Sequence, residues 1–308
     1  MLCVEVTKLQ KVPTIPDSAQ VKVVEMGNVI ETTFMSRKNT KQTIKRLKGG
    51  KEYVICSTGE IKEAHPSIIR TDNKKSLYRT FSNIRGLINT NITNVENVRF
   101  CTLTYKENMT DTKKLYKDFN DFNKRFQYYC KKNDFGKPEY IIVFEPQKRG
   151  AWHAHLLYIW KDRTAPFIPN KDFAEIWGHG FVQIKQLQNI DNVGAYLTAY
   201  LTDLEFGDGC FDLNAKSVLK GQYRASEGEE NRNKAYIKGA RLKYYPAGFQ
   251  IMRHSRGIEY PKVTMMTKAE VEKKVLGVTK TFERAYKLTD GDFESVVVKK
   301  QYNLVRKL

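Results

Sequence analysis

The chain has 308 residues, 41% of them hydrophobic, and its 53 lysines and arginines outnumber its 34 aspartates and glutamates, giving a formal charge of +19. This composition can bury a hydrophobic core, which excludes a chain that is disordered as a whole. The excess of positive charge favours a polyanionic partner, and nucleic acid is the expected one.

A membrane is the competing anionic partner, and the sequence gives no support for it. No apolar run has transmembrane length, and the first residues lack the pattern of a signal peptide. The cysteines form no CxxC pair and are odd in number, which argues against a zinc knuckle and a disulfide framework. They are Cys3, Cys56, Cys101, Cys130 and Cys210. We therefore expect a reduced, cytoplasmic protein.

Residues 1–95 are predicted to form a basic accessory region. Alternating residues predict short strands at Val21–Val24 and Tyr53–Cys56, and helical spacing predicts helices at Lys41–Lys48 and Lys75–Ile92. The densest basic cluster contains Arg37, Lys38, Lys41, Lys45, Arg46, Lys48 and Lys51. This cluster is either a solvated face or a surface that contacts DNA.

Residues 96–206 have a regular pattern and are predicted to form the catalytic domain. The predicted elements are a strand at Val98–Tyr105, a helix at Thr112–Lys132, strands at Glu139–Glu145 and Ala151–Trp160, a helix at Asp172–Trp177, a strand at Gly180–Lys185 and a helix at Asn192–Leu204. This order predicts an α+β fold, a split βαβ or ferredoxin-like antiparallel sheet with helices on its faces.

Residues 207–308 are predicted to form a second accessory region, basic and aromatic in character. Its first part is polar and acidic, and it predicts loops in the segments EFGDGCFD and ASEGEENRNK. The segment Lys238–Ile258 then mixes basic and aromatic residues. That mixture suits contact with phosphates and bases, or it forms a small core.

Two histidines on one predicted strand, His153 and His155, form a candidate metal site. Residues two apart on a strand project from the same face, so both imidazoles can reach one ion. Glu145 ends the preceding strand and joins them if the hairpin register is even, whereas a one-residue slip moves it away. One carboxylate and two imidazoles with open positions suit Mg²⁺ or Mn²⁺ better than a closed structural zinc site.

Two tyrosines, Tyr196 and Tyr200, are four residues apart and therefore share one face of the last predicted helix. Both lie on or beside the apolar stripe of that helix, so they are either core tyrosines with hydroxyls at the rim or nucleophiles. The pKa of a tyrosine hydroxyl is ordinarily about 10. Attack on a phosphate therefore needs help, which a bound cation can supply.

Taken together, these residues resemble the HUH endonuclease superfamily, and within it the rolling-circle replication initiators (Rep) of bacterial plasmids and of the gene II type in filamentous phages. The segment FCTLTY at residues 100–105 is similar to the first motif of that family. EPQKRGAWHAHLL resembles its metal motif, and GAYLTAYLTD resembles its tyrosine motif. WGHGFVQIKQL fits the segment that usually precedes the tyrosine motif.

The resemblance implies a DNA replication initiator that is a site-specific single-strand DNA endonuclease and strand transferase. Tyr196 and Tyr200 would be the catalytic residues, with Tyr196 as the nucleophile, while Glu145, His153 and His155 would bind Mg²⁺ or Mn²⁺. Tyr196 would nick single-stranded or extruded origin DNA, retain the 5′ end as a phosphotyrosine and free a 3′-OH. A second transesterification would rejoin the strand.

The same resemblance implies a cytoplasmic bacterial setting and partners that act in trans. The chain contains no GxxxxGK[ST] segment, so a host helicase would unwind the DNA and a host DNA polymerase would extend the 3′ end. One departure concerns the lysines that often follow the first tyrosine of this family, because Ala199 and Asp203 stand at those places.

Several alternatives remain open at the level of sequence. A relaxase or a single-strand transposase uses the same chemistry, but a relaxase usually places its tyrosine before the histidine motif and a transposase is usually shorter with one tyrosine. A non-catalytic nucleic-acid-binding module would use exposed strand aromatics such as Tyr158 and Trp160. A small-molecule metalloenzyme fits the ligands but not the charge of +19.

Overall fold

The computed structural model describes residues 5–40, 44–64, 74–147, 150–187, 192–194, 204–205, 218–220, 235–237 and 244–306. The chain divides into two compact units. The first, called unit 1, comprises residues 1–67 and 261–308, and the second, called unit 2, comprises residues 68–260. Among the described helices, none has the length and apolar character needed to cross a membrane.

Most elements of the described chain are strands. The strands are β1 (Glu5–Lys8), β2 (Gln20–Met26), β3 (Val29–Met35), β4 (Ile44–Arg46), β5 (Glu52–Ile55), β6 (Ile61–Glu63), β7 (Val98–Thr104), β8 (Glu139–Pro146), β9 (Trp152–Ile159), β10 (Val182–Gln186), β11 (Leu204–Glu205), β12 (Val218–Lys220), β13 (Ala235–Ile237), β14 (Met252–His254), β15 (Lys262–Thr267), β16 (Thr279–Asp290) and β17 (Phe293–Asn303). The helices are α1 (Lys74–Asn91), α2 (Thr112–Lys132), α3 (Asn170–Trp177) and α4 (Lys268–Lys274).

The main sheet of unit 2 has the strand order β10-β7-β9-β8-β14, and each neighbouring pair is antiparallel. Strands β7 and β8 are therefore parallel to each other, with β9 inserted between them and α2 connecting them. This is a split βαβ unit, and with α3 and β10 it gives the ferredoxin-like arrangement. The predicted α+β fold is confirmed, and α2 has the bounds predicted from its periodicity.

Helix α2 begins where the side chain of Asp111 accepts hydrogen bonds from the backbone N–H groups of Lys113 and Lys114, at 2.7 and 3.2 Å. Such an N-cap satisfies donors that the first turn leaves unpaired. Its apolar stripe faces the sheet, and the Phe126 ring stacks on the Tyr158 ring with centroids 4.3 Å apart. Phe173 of α3 packs edge-on against Phe126 on the same side.

This packing covers one face of β9. The stripe of α2 and the inward residues of α3 are buried in one hydrophobic cluster with Ala154, Leu156 and Tyr158. Each fully buried aromatic or aliphatic side chain contributes roughly 1.5–3 kcal/mol relative to an exposed one. Because side chains alternate along a strand, His153 and His155 project from the opposite face.

Unit 1 is built around a six-stranded antiparallel sheet with the order β1-β16-β17-β3-β2-β15. Strands β16 and β17 form a long hairpin in which Asp290 is opposite Phe293 and Gly291, with a φ of +59°, lies in the turn. Helix α4 begins with a capping box between Thr267 and Glu270. The two ends of the sequence thus contribute to one sheet, a pairing that the sequence pattern left undetermined.

Two predicted helices differ from the structure. The helix predicted at Lys41–Lys48 is wrong, because residues 44–46 form β4, which pairs with β5. Cations four residues apart repel on a helix, and the glycine turn at 49–50 returns the chain as a hairpin instead. The predicted end of the last helix at Leu204 is also wrong, since Leu204–Glu205 is β11 and pairs with β13.

Several predictions fall on residues outside the described ranges. They include most of the helix predicted at Asn192–Leu204, of which only the first turn at 193–194 is described, and most of the loops predicted at 205–212 and 225–234. The described cysteines, Cys56, Cys101 and Cys130, are free thiols, the first exposed and the other two buried.

Candidate functional site

The hairpin of β8 and β9 holds the three predicted metal ligands in an even register. Glu145 is directly opposite His153, and Val143 is directly opposite His155. Directly opposed residues in an antiparallel pair share one face of the sheet. Glu145, His153 and His155 therefore project from the same face, and the one-residue slip that would separate them does not occur.

Strand β7 borders the same site from the other side of β9. Thr104 is opposite His153, and Thr102 is opposite His155. The Thr102 hydroxyl is 3.5 Å from Nδ1 of His155, and the ring of Phe100 stacks on the His155 ring at a centroid distance of 5.8 Å. Because β9 lies between β7 and β8, His155 has neighbours on both sides, and Thr102 and Phe100 fix the plane of its ring.

Glu145 and His155 form the buried centre of the site. Oε2 of Glu145 and Nε2 of His155 are in direct hydrogen-bonding contact, and the two residues are only 1% and 5% exposed. Burial lowers the pKa of the His155 imidazole to about 4, because the charged ring would lose its hydration. The ring is therefore neutral at pH 7, which is the form of histidine that binds metal ions.

His153 lies nearer the open end of the hairpin and is half-buried. Its Nδ1 is 3.4 Å from Nε2 of Gln147, the first residue of the turn. As these side chains stand, the described residues contain no group of three His, Cys, Asp or Glu side chains gathered closely enough to hold a metal ion. The structure brings Glu145 and His155 together and sets His153 beside them on the same face.

A buried asparagine of α1 holds the segment that immediately precedes the predicted nucleophile. The Asn89 side chain is 4% exposed. Its Oδ1 accepts a hydrogen bond from the backbone N–H of Gly194 at 2.8 Å, and its Nδ2 donates to Oδ1 of Asn192 at 2.9 Å. One side chain thus contacts both Gly194, the first residue of the tyrosine motif, and Asn192, two residues before it.

Gly194 allows this close approach because it has no side chain. A Cβ atom built there would lie 2.5 Å from the carbonyl oxygen of Arg85 and 2.7 Å from Oδ1 of Asn89. Any larger residue would push the segment away from α1. The sequence signal for this contact was a polar residue inside α1 next to its apolar stripe, a place where asparagine is otherwise unfavourable.

Tyr196 and Tyr200 lie outside the described residues, two and six positions beyond Gly194 in the sequence. His254 and His179, which belong to neither the metal motif nor the tyrosine motif, also have neighbours within hydrogen-bonding or ion-pair distance. His254 contacts the carbonyl oxygen of Ser255 at 2.8 Å and the hydroxyl of Tyr260 at 3.1 Å. His179 lies 3.8 Å from Oδ1 of Asp118. Both histidines therefore have contacts outside the candidate metal site.

Residues 98–205 match the family model of the replication-associated proteins of the ORF2 and gene II protein type. The matched segment begins with β7, contains the β8–β9 hairpin with its histidines, and ends with β11. The resemblance to gene II-type replication initiators is thereby confirmed for this part of the chain. No match was found among the curated proteins or among the solved structures.

Proposed function

We propose that this protein initiates rolling-circle DNA replication by a metal-dependent, strand-specific nick at an origin. One observation carries the proposal. The segment that matches the replication-associated family contains a carboxylate and two histidines on one face of the central sheet, with Glu145 opposite His153. A structural core has no packing reason to place these three groups together.

Glu145, His153 and His155 would bind a divalent cation, Mg²⁺ or Mn²⁺. Their donors, one carboxylate oxygen and two imidazole nitrogens, leave coordination positions open for phosphate and water. Such a cation would neutralise charge on a non-bridging oxygen of the scissile phosphate and polarise the phosphorus. Thr102 and Phe100 would hold the His155 ring in place.

Tyr196 would be the nucleophile and Tyr200 its partner. The Tyr196 oxygen forms a bond to phosphorus while the bond from phosphorus to the 3′ oxygen breaks. The phenolic proton leaves the tyrosine, and the released 3′ oxygen gains a proton. The products are a 5′-phosphotyrosine and a 3′-OH that primes a DNA polymerase. To rejoin the strand, Tyr200 would cut a later phosphodiester in the same way, and the 3′-OH freed by that cut would attack the phosphate held by Tyr196. A new phosphodiester would form as the bond between phosphorus and the Tyr196 oxygen breaks, and the Tyr196 hydroxyl would regain its proton.

The decisive experiment looks for the covalent product. The protein is incubated with labelled single-stranded oligonucleotides that tile the replicon encoding it, with Mn²⁺ or with EDTA, and the products are separated on denaturing gels. We expect an SDS-resistant adduct that requires Mn²⁺ and is lost in Tyr196→Phe. Tyr200→Phe should retain the first cleavage, whereas His153→Ala should lose it.

Other outcomes identify the rival functions. Cleavage without an adduct would show a hydrolytic nuclease and refute the tyrosine mechanism. Binding with neither cleavage nor adduct over the whole tiling set would favour a non-catalytic module. An adduct formed at a transfer origin or a transposon end, and not at a replication origin, would identify a relaxase or a transposase.

A further inference from the structure

The small sheet β4-β5-β6 of unit 1 exposes an unusual amount of its side chains. Within the described part of the chain, none of its residues belongs to a buried hydrophobic cluster. Ile44 and Ile61 are 48% and 58% exposed. A three-stranded sheet without a buried face gains little from packing. Its surface chemistry is therefore the feature to explain.

Strand register divides the charged residues of this sheet between two faces. Arg46 is directly opposite Tyr53, and Tyr53 is directly opposite Lys62. The three side chains therefore form one row across three strands on one face. Since neighbouring strands lie roughly 4.8 Å apart, the row spans about 10 Å, with an aromatic ring between two cations.

The opposite face has a different character. Glu52 is directly opposite Glu63 there, and the one basic strand residue on that face is Lys45, opposite Val54. The two acidic residues would repel a polyanion. The face with the Arg46–Tyr53–Lys62 row is thus the one suited to an anionic partner, although both faces include exposed side chains.

Two charged residues next to the row, one basic and one acidic, leave its net charge positive. Lys51 extends it at the end near the β4–β5 turn, where its carbonyl oxygen accepts a hydrogen bond from Ala64 N–H at 2.7 Å. Glu60 lies at the other end and pairs with Lys62 at 3.3 Å. Both members of this pair are about half exposed, and such a pair contributes little, so Lys62 can exchange it for a phosphate.

We propose that the Arg46–Tyr53–Lys62 row binds single-stranded DNA. Arg46 and Lys62 would contact successive phosphates, and the Tyr53 ring would stack on an unpaired base between them. A single strand fits better than a duplex, because the bases of a duplex already stack on each other and leave no face for the ring. The proposal rests on the proposed function, which requires single-stranded origin DNA.

The test measures binding by the full-length protein in EDTA, which separates binding from any metal-dependent cleavage. Fluorescence anisotropy follows a labelled single strand of mixed sequence at several salt concentrations. Arg46→Ala should reduce the slope of log K against log salt by about 0.7, the value for one phosphate contact on a single strand. Lys45→Ala is the matched control, since it removes the same charge one residue away on the opposite face, and it should leave the slope unchanged.

The role of the ring is tested separately. Tyr53→Ala should weaken binding about 5-fold or more, whereas Tyr53→Phe, which keeps the stacking surface, should bind like the unchanged protein. Equal losses in Arg46→Ala and Lys45→Ala would overturn the proposal in favour of a diffuse charge effect. An equal effect of Tyr53→Ala on duplex and on single strand would overturn the choice of single-stranded DNA.

These results are distinguishable from a failure of the proposed nicking function. If Arg46→Ala and Tyr53→Ala bind normally but Mn²⁺-dependent adducts form, the sheet proposal fails and the nicking proposal stands. If no adduct forms with any oligonucleotide but the binding of single strands still depends on Arg46 and Tyr53, the sheet proposal stands alone. Circular dichroism of each variant shows that the fold is retained.

Discussion

The two faces of strand β9 bury side chains of very different character. On one face, Leu156 and Tyr158 pack under α2 and α3, and the Tyr158 hydroxyl donates to Asn123 at 2.9 Å. On the other face, His153 and His155 lie beside Glu145. The first face is apolar wherever it is buried. The second buries a carboxylate and an imidazole against each other, an arrangement that costs stability and is typical of functional sites.

The largest expected difference between the two faces is in activity. His153→Ala should reduce the rate of adduct formation about 100-fold or more, because a bound cation contributes several kcal/mol to stabilisation of the transition state. The rate is measured from the appearance of the SDS-resistant species in Mn²⁺. His254→Ala removes a histidine of unit 2 that lies outside the site and should form the adduct at the normal rate. Equal rates in both variants would exclude a metal role for His153.

The converse test changes the core face. Phe126→Ala should lower the free energy of unfolding by about 3–5 kcal/mol, because it removes a fully buried ring that stacks on Tyr158. Urea unfolding followed by fluorescence measures the loss. Phe167→Ala, at a position that is 80% exposed, is the matched control and should change stability by less than about 0.5 kcal/mol. Similar losses in the two variants would contradict the described core.

Acid should destabilise the folded protein because it protonates the buried His155 ring. The unfolded chain protonates His155 below a pH of about 6.5, whereas the folded protein resists protonation until about pH 4. Above pH 6.5 the ring is neutral in both states, so it does not lower the free energy of unfolding. As the pH falls from 6.5 towards 4, protonation of the unfolded chain lowers that free energy by an amount on the order of 3 kcal/mol. Thermal unfolding of the protein and of His155→Gln at pH 7 and pH 4.5 measures it. An equal acid loss in both proteins would assign the effect to other groups.

The smallest expected effect tests the contact between α1 and the tyrosine motif. Asn89→Ala removes the side-chain oxygen that accepts from the backbone N–H of Gly194 and should slow adduct formation by about 5-fold to 100-fold. Asn89→Asp keeps an acceptor oxygen and should recover part of the rate, which loss of folding alone would not allow. Asn120→Ala, at an exposed position of α2, serves as the control. An unchanged rate in Asn89→Ala would exclude a positioning role.

The sequence predicted the central sheet well because its signals are local. The short β-prone runs of β7, β8 and β9 and the stripe of α2 each lie within one element, and a short turn sets the register that joins Glu145 to His153. Pairings between distant segments had no such signal. The sequence pattern did not indicate that β14 adds to β8, or that β3 pairs with β17.

The helix predicted at Lys41–Lys48 failed for a related reason. Four cations and two β-branched residues in a short segment give a weak helical preference, and pairing of Ile44–Arg46 with β5 overrides it. The contact of Asn89 with Gly194 was missed as well. The polar residue beside the apolar stripe of α1 marked Asn89 as unusual, but its partner lies 105 positions away in the sequence. The spacing of Tyr196 and Tyr200 fitted both core tyrosines and nucleophiles, and the upstream histidines and the resemblance to a known family favoured the nucleophiles.

The six-stranded sheet of unit 1 also sets an order of events during synthesis on the ribosome. Strands β2 and β3 emerge early, but their outer neighbours β15 and β17 begin more than two hundred residues later. At roughly 5–20 residues per second, the first strands wait on the order of ten seconds or more with unpaired edges. Unit 2 emerges complete during that interval. The six-stranded sheet, which needs strands from both ends of the sequence, is therefore the last to fold. Its early strands β2 and β3 are the ones most exposed to aggregation.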